Sequence, residues 1–298
     1  MGDREAGQAA YPPRVAQREA DLHGKTFLIT GANVGIGRET ARGLAGRGAR
    51  VYIAGRSEEK TRAVMDDITA QTGGAALGYL SLDLGDLESV RACADAFLAT
   101  GEPLHGLINN AGLAGRRGMT DSGFELHFGT NYVGPFLLTA LLLDRLRESA
   151  PSRIVNVSSE SHYRAQGIDF EAVRRPTRSI TGLPEYSVSK LANLLHAQEL
   201  ARRLNGRGVT TYAVHPGVVA SNIWRRLPWP VRGLITRRMR SPEEGARTPL
   251  YCATSPEVAR ESGHYYDDMQ RREPGDAAQP PLAAELWERS VEWVGLPS

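Results

Sequence analysis

The chain is short of lysine, of cysteine and of long apolar runs. Only three of its 36 basic residues are Lys, at positions 25, 60 and 190, and the remainder are Arg. Under such a bias a site that needs only positive charge drifts to Arg, so a retained Lys marks a candidate for work that needs a compact ammonium. Two cysteines, Cys93 and Cys252, make no disulfide framework and fit a reducing cytoplasm. The absence of any 18-residue apolar run excludes a membrane-spanning helix. The polar first 21 residues have no apolar core and do not read as a secretory signal. A net charge of only +2, with Arg pairs scattered over many segments, argues against a nucleic-acid partner. Seven His without ligand spacing give no metal site.

What is present is enough for a globular protein. A chain of 298 residues, 41% of them hydrophobic, buries roughly three quarters of its unfolded surface without a disulfide or metal staple. The apolar content and small net charge exclude intrinsic disorder. Residues 1–22, with Tyr11-Pro12-Pro13, read as a flexible N-terminal arm, and 23–298 as a single domain.

Beyond the arm, short apolar runs alternate with helical patterns. Strands are expected at 26–30, 50–54, 77–82, 104–109, 153–157, 209–214 and 263–266. Helices are expected at 36–47, 57–72, 86–99, 124–147, 185–204, 242–253 and 282–294. Alternation of this kind predicts an α/β fold: a doubly wound parallel β-sheet with right-handed crossovers and helices on both faces. The nearly continuous apolar character of the strands agrees with burial on both sides. A less regular stretch with two Trp, two Pro and six Arg (221–240) is expected to form a substrate lid over about 221–242.

Thr30-Gly31-Ala32-Asn33-Val34-Gly35-Ile36-Gly37 lies where the first strand gives way to the first helix. Glycines let the backbone approach a pyrophosphate closely, and the helix N-terminus offers free N–H groups and a positive dipole end. The spacing Gly-x-x-x-Gly-x-Gly, preceded by Thr, resembles the turn of the short-chain dehydrogenase/reductase family at every fixed position. Two further motifs follow in that family's order: Asp83-Leu84 after the third strand and Asn109-Asn110-Ala111-Gly112 closing the fourth. The resemblance spans about residues 22–296. It implies a Rossmann fold that binds a nicotinamide dinucleotide. Thr30, Gly31, Asn33, Gly35, Ile36 and Gly37 would hold the pyrophosphate side, and Asp83 and Leu84 the adenine. Asn110, Ala111 and Gly112 would support the sheet and the cofactor.

The end of the second strand reads Ala54-Gly55-Arg56-Ser57, with no carboxylate before Glu58. A carboxylate there would bind a ribose 2′-hydroxyl, whereas Arg56 can pair with a 2′-phosphate through its planar fork. NADP(H) is therefore favoured over NAD(H). Arg38, in the first helical turn, is a second candidate for that phosphate.

Tyr186 and Lys190 are four residues apart at the start of a helix, on one face and about one turn apart. An ammonium beside a phenol favours phenolate and is expected to lower its pKa from about 10. So tuned, the phenol can exchange a proton with a carbonyl or alcohol oxygen. The family resemblance implies a second role for Lys190, hydrogen bonding the nicotinamide ribose alongside Tyr186. It also implies Ser159 as the hydroxyl that orients the substrate oxygen, with Ser158 structural. Asn131 matches the family's Asn that bends its helix and holds a water of the proton relay. His215-Pro216-Gly217-Val218-Val219 resembles the segment lining the nicotinamide, where Pro216, Gly217, Val219 and Ser221 would contact it. Ser221 departs from the family's more frequent Thr. His215 lacks the Gly-x-Ser-x-Gly elbow that hydrolysis would need and reads as packing.

Residues 186–204 and the ending from Gly263 resemble the retinol dehydrogenase-like branch. The resemblance implies an apolar small-molecule substrate, with Trp224, Leu227, Trp229 and Leu234 as an apolar lid. The lid's Arg residues read first as a solvated surface, with peripheral contact to lipid headgroups or a partner as the alternative. The family also implies a homodimer or homotetramer, and the composition a cytoplasmic location. The alternative reading is an NADP(H)-binding redox sensor without turnover.

Overall fold

The computed structural model describes residues 20–218 and 240–297. Among the described residues, eight strands form one sheet: β1 (Thr26–Thr30), β2 (Arg50–Gly55), β3 (Leu77–Ser81), β4 (Gly106–Asn109), β5 (Ser152–Val157), β6 (Val209–His215), β7 (His264–Asp267) and β8 (Gln270–Arg272). Their spatial order is β3-β2-β1-β4-β5-β6-β7-β8. All pairings are parallel except β7 with β8. Successive side chains of a strand point to opposite faces, and β1 shows both faces dry. Leu28 packs with Leu107 and Ile154 on one side, and Phe27 and Ile29 with Val51, Ile108 and Val155 on the other. Each such fully buried side chain contributes roughly 1.5–3 kcal/mol of transfer free energy. Burial on both faces is what makes these strands read as unbroken apolar runs.

Helices α1 (Gly35–Ala45), α2 (Glu58–Thr72) and α3 (Leu87–Ala99) follow the first three strands. Ser57 caps α2 and Asp86 caps α3, each accepting a backbone N–H, so the expected helices begin one residue late. α7 (Leu183–Arg203) follows β5, α8 (Pro242–Thr254) precedes β7, and α9 (Pro280–Trp293) ends the fold. Ahead of β1, Leu22 is buried and its N–H bonds Arg47 O at 2.9 Å.

The continuous helix expected over 124–147 is instead broken. It runs as a single turn α4 (Leu126–Phe128), a π-type turn (Gly129–Val133), α5 (Gly134–Leu141) and α6 (Leu143–Glu148). The wide turn is closed by Gly134 N–H to Gly129 O, five residues back. Both glycines sit against neighbours that would exclude a side chain: a Cβ on Gly134 would stand 2.3 Å from Leu84 O, and on Gly129 2.5 Å from Thr120 Cγ2. Strand β8, which has no apolar pattern, was not expected. It is made by a two-residue turn in which Asp268 and Met269 take φ of 48° and 61°, returning the chain antiparallel to β7.

The sheet order reverses between β1 and β4, which leave in opposite directions around the sheet. The crevice beyond the carboxyl ends of the strands at such a point is where open α/β sheets bind ligands.

Candidate active site

At the end of β1, Thr30 joins two strands: its Oγ1 accepts Asn110 N–H at 3.1 Å and Ala111 N–H at 3.0 Å. Asn110 Nδ2 donates to Thr30 O at 2.9 Å and Gly31 O at 3.2 Å. The turn thus rests directly on the 109–112 segment, and two of its glycines, Gly31 and Gly37, have no room for a side chain. A Cβ on Gly37 would stand 2.4 Å from Asn110 Nδ2, and Gly31 combines φ of +68° with 2.8 Å to Ala111 Cβ. Asn33, Gly35 and Ile36 carry this turn into α1. Unlike α2, α3 and α8, helix α1 starts without a side-chain cap and with no acidic residue in its first turn. Its N–H groups and dipole therefore suit a pyrophosphate.

Arg56, at the end of β2, is 71% exposed, and its guanidinium stands 4.0 Å from Asp83 Oδ2. Asp83 Oδ1 is fixed by Gly85 N–H at 2.9 Å, and Leu84 is buried against Gly134. Arg38 is engaged elsewhere, bound to Asp67 of α2 at 2.5 Å. Of the two candidate cations for a 2′-phosphate, Arg56 is the one that stands beside Asp83.

Asn131 lies in the π-type turn. Its Oδ1 accepts Leu113 N–H at 2.8 Å, while Nδ2 donates to Leu113 O at 3.0 Å and Ser189 Oγ at 2.9 Å. The wide turn thus lets one amide join the segment after β4 to α7. Gly112 lies beside the same amide and Lys190 Nζ, each about 3.3 Å from where its Cβ would be. Helix α7 begins at Gly182 in the left-handed conformation (φ +67°) with Pro184 in its first turn, and carries Tyr186 and Lys190 on one face. Ser158 Oγ donates to Lys190 O at 2.7 Å, the structural role expected for it.

Ser159, Tyr186 and Lys190 are brought together. The Ser159 side chain lies close enough to the Tyr186 phenol to act on its ionisation. Lys190 is 3% exposed, donates from Nζ to Val157 O at 2.8 Å and lies 5.6 Å from the Tyr186 ring centroid. Burial lowers the Lys190 ammonium to about 8. Burial raises the Tyr186 phenol above its ordinary value; the Ser159 side chain opposes that rise and the charge of Glu160 adds to it. The expected lowering of the phenol by Lys190 is therefore absent here. The ammonium is engaged by a carbonyl and sits over the ring, and desolvation of the phenol outweighs it.

Three further residues had no signal in the sequence. His162 is fully buried, with Nδ1 2.6 Å from Ser159 O and Nε2 accepting Gly275 N–H at 3.1 Å. Its acceptor nitrogen fixes the neutral Nδ1–H tautomer, and burial keeps its pKa below the usual value. His162 thus braces the Ser159 backbone from the C-terminal segment. His127, held by Glu125 at 2.9 Å, packs edge-on to Tyr186 with centroids 6.3 Å apart. Glu160, which follows Ser159, lies 3.9 Å from His215 Nε2.

Pro216 and Gly217 follow β6 at the same edge, and the aliphatic part of Arg240 lies over Gly217, whose φ is +85°. Val219, Ser221 and the lid residues Trp224, Leu227, Trp229 and Leu234 lie outside the described residues. Among the described residues no cluster of His, Cys, Asp or Glu could hold a metal ion. No helix among them is long and apolar enough to cross a membrane.

Comparison with known proteins agrees with this geometry. The short chain dehydrogenase family matches residues 25–172. Human retinol dehydrogenase 11 is 45% identical over 288 residues, covering 95% of this chain and 90% of its own. Bovine dehydrogenase/reductase SDR family member 13 is 45% identical over 287 residues, covering 93% of this chain and 75% of its own. Among solved structures, an uncharacterised protein from Mycobacterium paratuberculosis is 33% identical and superposes with a TM-score of 0.76, covering 94% of this chain and 96% of its own. The chain belongs to the short-chain dehydrogenase/reductase family, in its retinol dehydrogenase-like branch, and is an NAD(P)-dependent oxidoreductase acting on CH–OH or C=O groups.

Proposed function

We propose that the protein interconverts a carbonyl and an alcohol on an apolar small molecule, with NADP(H) as the preferred dinucleotide. The observation that carries this reading is the convergence of Ser159, the Tyr186 phenol and the buried Lys190 ammonium, 5.6 Å from the ring centroid. The dinucleotide would lie on the Gly31–Gly37 turn, with Asp83 and Leu84 toward its adenine, Arg56 toward a 2′-phosphate and Pro216 and Gly217 toward its nicotinamide. When bound, it supplies or accepts the hydride. The chain's own groups manage the oxygen and the proton. Ser159 Oγ donates to the substrate oxygen and aims it at Tyr186. The Tyr186 hydroxyl gives that oxygen its proton in reduction and takes it back in oxidation, general acid–base work. A phenol held high by burial keeps its proton until the substrate oxygen becomes basic, which suits the reductive direction. Lys190, held at Val157 O, keeps a positive charge within reach of the phenolate that remains.

The apolar substrate follows from the likeness to the retinol dehydrogenase-like branch and from the Trp- and Leu-bearing lid sequence. Assembly as a homodimer or homotetramer and a cytoplasmic location complete the reading. The test is a panel of apolar aldehydes and alcohols assayed with NADPH and NADH side by side. Turnover that prefers NADPH supports the reading. Tight NADPH binding with no oxidation or reduction across the panel would instead identify a redox sensor.

A further inference from the structure

Glu160 is the residue that immediately follows Ser159. It opens the 3-10 turn Glu160–Arg164, whose first N–H groups are tied back by Ser159: Ser161 N–H reaches Ser159 Oγ at 3.2 Å and His162 N–H reaches Ser159 O at 3.1 Å. That turn is braced in place by His162, so the Glu160 backbone is fixed relative to the hydroxyl that orients substrate. Its side chain is 55% exposed, with Oε2 3.9 Å from His215 Nε2, and its charge reaches the Tyr186 phenol.

Among the described residues no Lys or Arg lies within ion-pairing distance of the carboxylate. Arg240, whose charge acts on His215, is itself paired with Asp268 at 3.4 Å. His215 is 5% exposed, its Nδ1 has no hydrogen-bond partner, and burial holds its pKa below the usual value. Burial thus opposes a positive charge on His215, the one basic side chain among the described residues in ion-pair range of Glu160. Asp267, opposite His215 in the β6–β7 register, adds a second negative charge to the same edge. An apolar pocket would have no need of this charge.

We propose that Glu160 is a specificity-determining residue, which disfavours substrates carrying an anionic group near the reacting carbon and leaves the site to neutral or cationic ones. The proposal rests on the reaction assigned above and sharpens its substrate class: an aldehyde, ketone or alcohol whose remainder bears no carboxylate, sulfonate or phosphate close to the oxygen. Two like charges about 6 Å apart, at an effective dielectric of about 40, oppose binding by about a factor of ten. The same factor would favour an ammonium placed there.

The test compares the full-length protein with its Glu160→Gln variant on three aldehydes of similar size: benzaldehyde, 4-carboxybenzaldehyde and 4-(trimethylammonio)benzaldehyde. Glu160→Gln keeps the side-chain shape and removes only the charge at an exposed position, so the fold is preserved. The readout is the ratio of kcat/KM for the anionic to the cationic aldehyde, divided between variant and wild type. The division cancels the different intrinsic reactivities of the two carbonyls. The ratio is expected to rise by up to about a hundredfold in the variant, and wild-type discrimination to shrink at high ionic strength, where exposed charges are screened. A ratio that changes less than twofold, with turnover present, overturns the role of Glu160 alone. Absence of turnover on all three aldehydes overturns the proposed reaction and this proposal with it.

Discussion

Lys190 Nζ and Val157 O are joined by a 2.8 Å hydrogen bond that ties helix α7 to the end of β5 and holds a buried ammonium beneath the Tyr186 ring. Burial lowers this group to about 8 from 10.5. A base whose pKa is depressed by folding destabilises the native state at low pH, because the unfolded chain takes up its proton at less cost. The penalty is full below about pH 8 and disappears as pH rises toward 10.5. Lys190→Met is therefore expected to raise unfolding free energy at pH 7, by up to about 3 kcal/mol, while abolishing turnover. The advantage over wild type should fade between pH 8 and 10.5. Denaturant titrations of both proteins across that range check it.

The same site explains why a retained Lys matters. Gly112 and the Asn131 amide lie beside the buried ammonium, and a planar guanidinium is a larger donor of different shape. Lys190→Arg is expected to lower kcat/KM far more than Lys25→Arg or Lys60→Arg, as initial-rate assays of the three variants would show.

Cofactor choice should follow Arg56. A hydrogen bond to a charged group contributes about 1.5–3 kcal/mol, so Arg56→Ala is expected to weaken NADPH binding by roughly 10- to 100-fold while changing NADH binding much less. Fluorescence titrations with the two dinucleotides measure both. Equal loss for both would place the 2′-phosphate elsewhere.

His196 is buried among Tyr132, Phe136 and Trp287, with centroids 5.2 to 6.1 Å away, and burial pushes its pKa down to about 3. As pH falls below 6.5 the unfolded chain protonates this His and the folded chain does not, so stability is lost progressively down to about pH 3. The loss from this group is on the order of 4 kcal/mol. His196→Phe is expected to flatten that part of the acid limb, read as the difference between the two proteins' stabilities at pH 7 and pH 4.

The sheet was legible in the sequence because strands dry on both faces are apolar at every position, as in Phe27-Leu28-Ile29. Helices α2 and α3 were legible because Ser57 and Asp86 are cap residues. The break after Phe128 was not, because it depends on Gly129 and Gly134 meeting Thr120 and Leu84, contacts that no local pattern records. Strand β8 was hidden by its polar composition. In the site, helical spacing puts Tyr186 and Lys190 on one face, but their place downstream of the glycine turn, where the family carries its pair, is what singled them out. Ser159 and Asn131 were identified only through family likeness. His162 could not be found either way, since its second partner, Gly275, lies 113 residues downstream. The direction of the Tyr186 shift was also hidden, because it depends on how far burial removes the phenol from water, and spacing carries no information on that.

The most direct test of the central claim is Tyr186→Phe, which removes one hydroxyl and keeps the ring against His127. Loss of a general acid is expected to lower kcat by roughly 10²- to 10⁴-fold, with NADPH still bound within a few-fold of wild type in a fluorescence titration. Turnover close to wild type in this variant would contradict the mechanism.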